Sequence, residues 1–141
     1  MNHNIKRPIN EELLSQLVYL DEQGQELMET YFANDRIKFK EFYHLYTTEV
    51  EAYISNLHAQ KKQTNKLEKV FIGCKVIVKY EDDDETEEYI ICFPEQSNPD
   101  EGCISFLSPV GNQLLLRSVG EHMKLNTPGG EIGIVITDIQ F

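Results

Sequence analysis

The 141-residue sequence has no tryptophan, and between Asn10 and Gln60 it has no proline and a single glycine, Gly24. A span so free of breakers reads as helix. No apolar run approaches the roughly 20 residues needed to cross a bilayer. The N-terminal stretch MNHNIKRPINEE has basic residues with no apolar core behind them, so it does not read as a secretory signal. The expectation is a soluble, cytoplasmic protein. Cysteine is scarce and odd in number: Cys74, Cys92 and Cys103 lack CxxC spacing and sit beside β-branched or aromatic neighbours, as small buried hydrophobes rather than a disulfide or zinc site. The four histidines, His3, His44, His58 and His122, fall on different elements, and neither a triad nor a metal site follows from them.

Positive charge is the other shortage. Residues 1–66 carry 8 Lys/Arg against 10 Asp/Glu (−2) and residues 67–141 carry 5 against 14 (−9), which sum to the net charge of −11. A nucleic-acid duplex repels such a surface, because affinity for it rests on phosphate neutralisation by Lys and Arg. Any action on nucleic acid is expected to pass through another protein.

What is present divides near Leu67. Before it, Asn10 is placed to cap a helix, with Glu11 and Glu12 against the positive end of the helix dipole. Leu13, Leu17, Leu20, Leu27 and Tyr31 follow at helical spacing, with Gly24 at the missing seam position. Phe39, Phe42, Tyr46, Val50, Tyr53 and Leu57 repeat the rhythm. Two narrow apolar seams imply two helices packed on one another. Asn34 reads as a helix stop and Asp35 as a new N-cap, which places the reversal at Ala33–Arg36 and makes the arms nearly equal. The competing reversal is Gly24, with a short first arm and a long second one. Tyr43 and Ile54 lie off the main seam.

After the polar bridge HAQKKQTNK, the rhythm changes to strands: CKVIVKY, EEYIICF, CISFL, EHMKL and GEIGIVITDIQF. The acids of Glu81–Glu87 lack the spaced donors and central glycine of an EF-hand and read as a solvated hairpin tip. TPGGE reads as a tight turn in which Gly129 and Gly130 are free to take positive φ. SPVGNQLLL has Ser108 as N-cap and Pro109 at the first helical position of one short helix, with Leu114, Leu115 and Leu116 expected in the core.

Ile104–Ile139, ISFLSPVGNQLLLRSVGEHMKLNTPGGEIGIVITDI, resembles the C-terminal domain of the bacterial Gre transcript cleavage factors, with its strand, S-P-x-x-x-x-L segment, T-P-G-G-E turn and closing apolar strand. KVFIGCKVIVKYEDDDE, from Lys69 to Glu85, is similar to that domain's entry strand and hairpin. The resemblance implies an α+β protein: a helical hairpin (coiled coil) over residues 1–66, then an FKBP-like antiparallel β half-barrel with one short helix over residues 67–141. It also implies bacterial RNA polymerase as partner, with the half-barrel docked at the rim of the secondary channel and the hairpin inserted. Ser108, Pro109, Gly111 and Leu114 match positions of the family's docking segment.

Gre factors that promote cleavage carry two carboxylates at the hairpin tip, which help to hold the polymerase's own second Mg²⁺. Here the expected tip, Asn34, Asp35 and Arg36, has one, and Arg36, Lys38 and Lys40 oppose a cation. A tip at Gly24 would instead offer Glu26 and Glu29, which on a helix are an i, i+3 pair on a solvated face. Few residues precede the first arm, as in short Gre-like or Rnk-like members. The reading is therefore a monomeric regulator that is not itself an enzyme, has no cofactor of its own and reaches nucleic acid only through the polymerase. The alternatives are an active cleavage factor using tip carboxylates, an FKBP-like peptidyl-prolyl isomerase, and an adaptor dimerising through its hairpin.

Overall fold

The computed structural model describes residues 8–60 and 67–141, apart from the side chains of residues 57–60. The sequence expectations for residues 1–7, Leu57, His58 and the polar bridge lie outside that set. Two compact units, residues 1–64 and 65–141, are resolved by their internal contacts.

In the first unit α1 (Ile9–Tyr31) and α2 (Arg36–Gln60) form the hairpin. The first helix starts two residues earlier than expected, with Pro8 rather than Asn10 at the N-cap and no side-chain cap. Proline fixes φ near the helical value and has no N–H to leave unsatisfied, so it opens the helix without a polar cap. The buried stripe of α1 is Ile9, Leu13, Gln16, Leu20, Gly24 and Leu27. Leu17, expected on the seam, is half-buried, and Tyr31 is exposed; Gln16 and Phe32 take the enclosed places. Gly24 lies inside α1 with its Cα turned to Phe39 and Tyr43, which rules out a reversal there. Opposite, Phe39, Tyr46, Val50 and Ile54 are buried, so Ile54 belongs to the seam and not to its flank. Phe32 meets Phe39 edge-on at 5.2 Å and stacks on Phe42 at 6.4 Å, closing the apolar seam just behind the turn.

The second unit is one five-stranded sheet in the order β3-β2-β1-β5-β4, built from β1 (Lys75–Tyr80), β2 (Thr86–Cys92), β3 (Cys103–Ser105), β4 (His122–Thr127) and β5 (Gly130–Gln140). It curls into a half-barrel with one short helix, α3 (Pro109–Leu114). Hairpins join β1 to β2 through the acidic turn and β4 to β5 through Pro128–Gly129. Of the two glycines in that turn only Gly130 takes positive φ, at 119°.

Two features depart from simple antiparallel alternation. The edge strand β3 pairs with β2 in parallel, Ile90 opposite Cys103. The reason is the connection: two single-turn 3₁₀ segments, Pro94–Gln96 and Pro99–Glu101, carry the chain back before β3 begins. In β5 the inward residues are Ile134, Ile136 and then Ile139. A break in the period of two needs an extra residue, and the register between β1 and β5 shifts where Ile77 faces Asp138 but Val78 faces Ile136. Thr137 is the inserted residue, and its hydroxyl donates to the Ile77 carbonyl at 3.1 Å. The enclosed face gathers Val76, Val78, Ile91, Phe106, Leu114, Leu125, Ile134, Ile136 and Ile139.

Candidate functional site

Two places carry the residues singled out from the sequence, one in each unit. At the end of the hairpin, α1 stops at Tyr31, Ala33 and Asn34 make the turn, and Asp35 caps α2 by accepting the Lys38 N–H at 2.9 Å. That bond engages one of the two carboxylate oxygens, Oδ1. Arg36, Lys38 and Lys40 are exposed beside it and the first turn of α2 has no acid, so the tip is cationic where the helix dipole is already positive. Ile37, 70 % exposed, adds an apolar point. Glu26 and Glu29 are exposed within α1, and Glu29 accepts a bond from Gln25 at 3.3 Å. They are not at the turn, which removes the arrangement that a reversal at Gly24 would have required. Among the described residues no group of three or more His, Cys, Asp or Glu is placed to hold a metal.

In the sheet unit, Ser108 caps α3 by accepting the Gly111 N–H at 3.1 Å, while its own hydroxyl donates to the Ser105 carbonyl at 2.7 Å. The loop and the helix start are thus tied together by one side chain. A Cβ on Gly111 would stand 2.2 Å from the Ser105 carbonyl oxygen, so the close approach admits only glycine. Gly111 and Leu114 are buried, Leu114 completely, and within this unit they seat the segment. Pro109 is exposed and Ser108 half-buried. Leu115 and Leu116 are half-buried rather than core residues. Leu116 leaves the helix at φ 65°, and its N–H donates to the Val70 carbonyl at 2.7 Å. The turn beyond ends in Val119, 41 % exposed.

A polar network that sequence reasoning did not find holds α3 to the sheet. Gln113 donates from Nε2 to the Asn126 carbonyl at 2.8 Å and accepts the Asn126 N–H on Oε1 at 2.8 Å, and the same Nε2 reaches the Pro109 carbonyl at 2.9 Å. Arg117 donates from Nε to the Gln113 carbonyl at 3.0 Å and pairs with Glu121 at 2.8 Å. The Ser118 N–H holds the Glu121 carboxyl below its ordinary value; burial opposes this, and Arg117 adds further lowering by hydrogen bond and charge. Nothing in periodicity signals these contacts, because Gln113 and Asn126 are ordinary polar residues on separate elements.

The three cysteines are free: Cys74 and Cys92 are enclosed and Cys103 half-buried. Burial pushes the Cys74 thiol up to about 12, against a smaller lowering by the Phe71 N–H.

Residues 63–141 match the family described as transcription elongation factor, GreA/GreB, C-term. The chain belongs to the GreA/GreB family. Curated relatives include the transcription elongation factor GreA of Desulfovibrio desulfuricans, 36 % identical over 74 residues that make up 52 % of this chain and 46 % of that one. Another is GreA of Oceanobacillus iheyensis, 35 % identical over 94 residues, 66 % of this chain and 59 % of that one. This GreA/GreB family member spans about half the length of the first curated relatives it matches. Among solved structures it is similar to the GreA factor homolog 1 (Gfh1) of Thermus thermophilus, with 23 % identity, a TM-score of 0.49 and 94 % of each chain covered. A GreA/GreB protein from Nitrosomonas europaea gives 20 % identity and a TM-score of 0.48 over 62 % of this chain and 79 % of that one. Family membership rests on the sheet unit.

Proposed function

We propose that this chain is an RNA polymerase-associated transcription elongation factor that docks at the secondary channel through the α3 segment and does not stimulate transcript cleavage. Family membership supports the partner. The observation that carries the second half is the tip: its one carboxylate, Asp35, is bonded to the Lys38 N–H, with Arg36, Lys38 and Lys40 around it. Cleaving Gre factors bring two tip carboxylates to the second Mg²⁺ where this tip has one, and the neighbouring cations repel a metal ion. These residues do not fit the metal, so Mg²⁺ belongs to the polymerase alone and no step passes through the tip. The protein acts as a monomer by occupying the channel, and it touches nucleic acid through the polymerase rather than by binding a duplex.

The test is RNA cleavage in a purified, backtracked bacterial elongation complex with this protein saturating and a cleaving Gre factor as control. An unchanged basal rate with suppression of the control factor's activity is the expected result. Acceleration of cleavage would sink the non-cleaving assignment, and no competition would sink the docking.

A further inference from the structure

We propose that Gln113 is a positioning residue that sets the angle at which α3 presents Pro109 and Ser108 to the polymerase; this rests on the docking reading above. The sheet places Asn126 on the outermost strand, β4. Thr127 and Gly130 close the two-residue hairpin as a hydrogen-bonded pair, so Thr127, Leu125 and Met123 exchange bonds with β5 while the N–H and C=O of Asn126 point to the open side. The Gln113 amide meets both of them at 2.8 Å. A primary amide has one donor side and one acceptor side in a plane, which is the pattern of a peptide group, so Gln113 completes the edge as a further strand would.

The consequence lies at the other end of the helix. Helix α3 has six residues, too few to hold its direction by its own ladder. Leu114 fixes its depth by burial, and Ser108 fixes its start. The Leu116 N–H ties the end of the segment to the Val70 carbonyl, but neither this bond nor the Ser108 cap reaches the outer strand β4. Gln113 does reach it: its amide grips Asn126 on β4 while the same nitrogen meets the Pro109 carbonyl at 2.9 Å. The exposed proline is therefore coupled through one side chain to the sheet edge.

The experiment uses the full chain and bacterial core RNA polymerase, with Gln113→Ala, the isosteric Gln113→Glu, Pro109→Ala, the Gln113→Ala/Pro109→Ala double variant, and Ile136→Val as a control for stability loss. Gln113→Glu keeps the acceptor for the Asn126 N–H but cannot donate to its carbonyl. Gln113→Ala is expected to weaken polymerase binding by roughly tenfold, because losing the bonds to Asn126 lowers the population of the binding-competent orientation of α3. It should also speed amide exchange at Asn126 with Ile136 unchanged, and be non-additive with Pro109→Ala. Ile136→Val should lower Tm and leave binding alone. Should Pro109→Ala weaken binding while both Gln113 variants bind normally, or should the effects simply add, the positioning role is overturned and docking stands. If Pro109→Ala binds as the parent does, the docking reading fails and the proposal falls with it.

Discussion

Across the helical hairpin the Tyr46 hydroxyl donates to Oε1 of Gln16 at 2.5 Å, a bond between two enclosed side chains thirty positions apart in a seam that is otherwise apolar. A polar pair at one level of such a seam penalises any slip of one arm along the other, because a shifted register would bury both groups against hydrocarbon. Tyr46→Phe should cost about 1–2 kcal/mol through loss of this bond. Gln16→Leu combined with Tyr46→Phe should recover part of that cost, since an apolar pair of similar shape needs no partner. Chemical denaturation of the four chains of this cycle checks it, and a double-variant loss equal to the sum of the two single losses would remove the bond from the account.

Gly24 is the reverse case, a glycine without a conformational duty. It sits inside α1, and a Cβ there would rest 3.7 Å from Phe39 and 3.9 Å from Tyr43, at ordinary contact distance. Gly24→Ala is expected to stabilise the hairpin by up to about 1 kcal/mol from helix propensity. The readout is a higher Tm and greater helical circular dichroism on heating.

Gly111 has no such tolerance. The carbonyl oxygen that a Cβ would strike at 2.2 Å is backbone and cannot move aside like the end of a flexible side chain. Gly111→Ala should destabilise the sheet unit by about 1–3 kcal/mol, the usual range for overpacking. The loss of Tm should come with faster exchange at the Gly111 amide, which the Ser108 cap protects.

Asp35 separates capping from metal chemistry. Asparagine caps as well as aspartate, so Asp35→Asn should leave stability nearly unchanged, whereas Asp35→Ala should cost about 1 kcal/mol. Neither is expected to alter transcript cleavage. A change in cleavage with Asp35→Asn, whose cap is intact, would show that the carboxylate acts on the metal after all.

Glu121 gives an acid-side dependence. Its folded carboxyl titrates below its unfolded value, so the contribution to stability is complete above about pH 4.5 and is lost as pH falls through the lower folded value. Tm measured against pH for the parent and Glu121→Gln should show two curves separated near neutrality that converge below the ordinary carboxylate range. Curves that stay parallel into acid would mean the Ser118 and Arg117 contacts do not favour the charged form.

Much of the fold is legible in the local pattern. The breaker-free span reads as two helices, the seam rhythm finds most of the buried residues, and Asp35 and Ser108 carry capping signals that act within three residues of themselves. The strands β1, β3 and β5 lie within the segments marked by alternation or β-branched content, while β2 begins at Thr86, one residue before EEYIICF, and β4 runs two residues past EHMKL to Thr127. Leu17, Tyr31 and Ile54 are misplaced because a stripe of spacings records only what faces a common direction. Which members of it are covered depends on where the partner helix runs and where the first helix stops.

By itself the sequence determined the elements, the caps at Asp35 and Ser108 and the family resemblance, because hydrogen bonds between near neighbours and the two side-chain periods are written into a few consecutive residues. Only the tertiary structure decided that β3 joins the sheet in parallel, that a bulge at Thr137 turns Ile139 inward, that Gly111 is sealed against the Ser105 carbonyl, and that Gln113 closes the edge at Asn126. Those outcomes join residues far apart in the chain. Their energies arise from contacts that exist only once the sheet has closed around its core, so no short window of residues can state them.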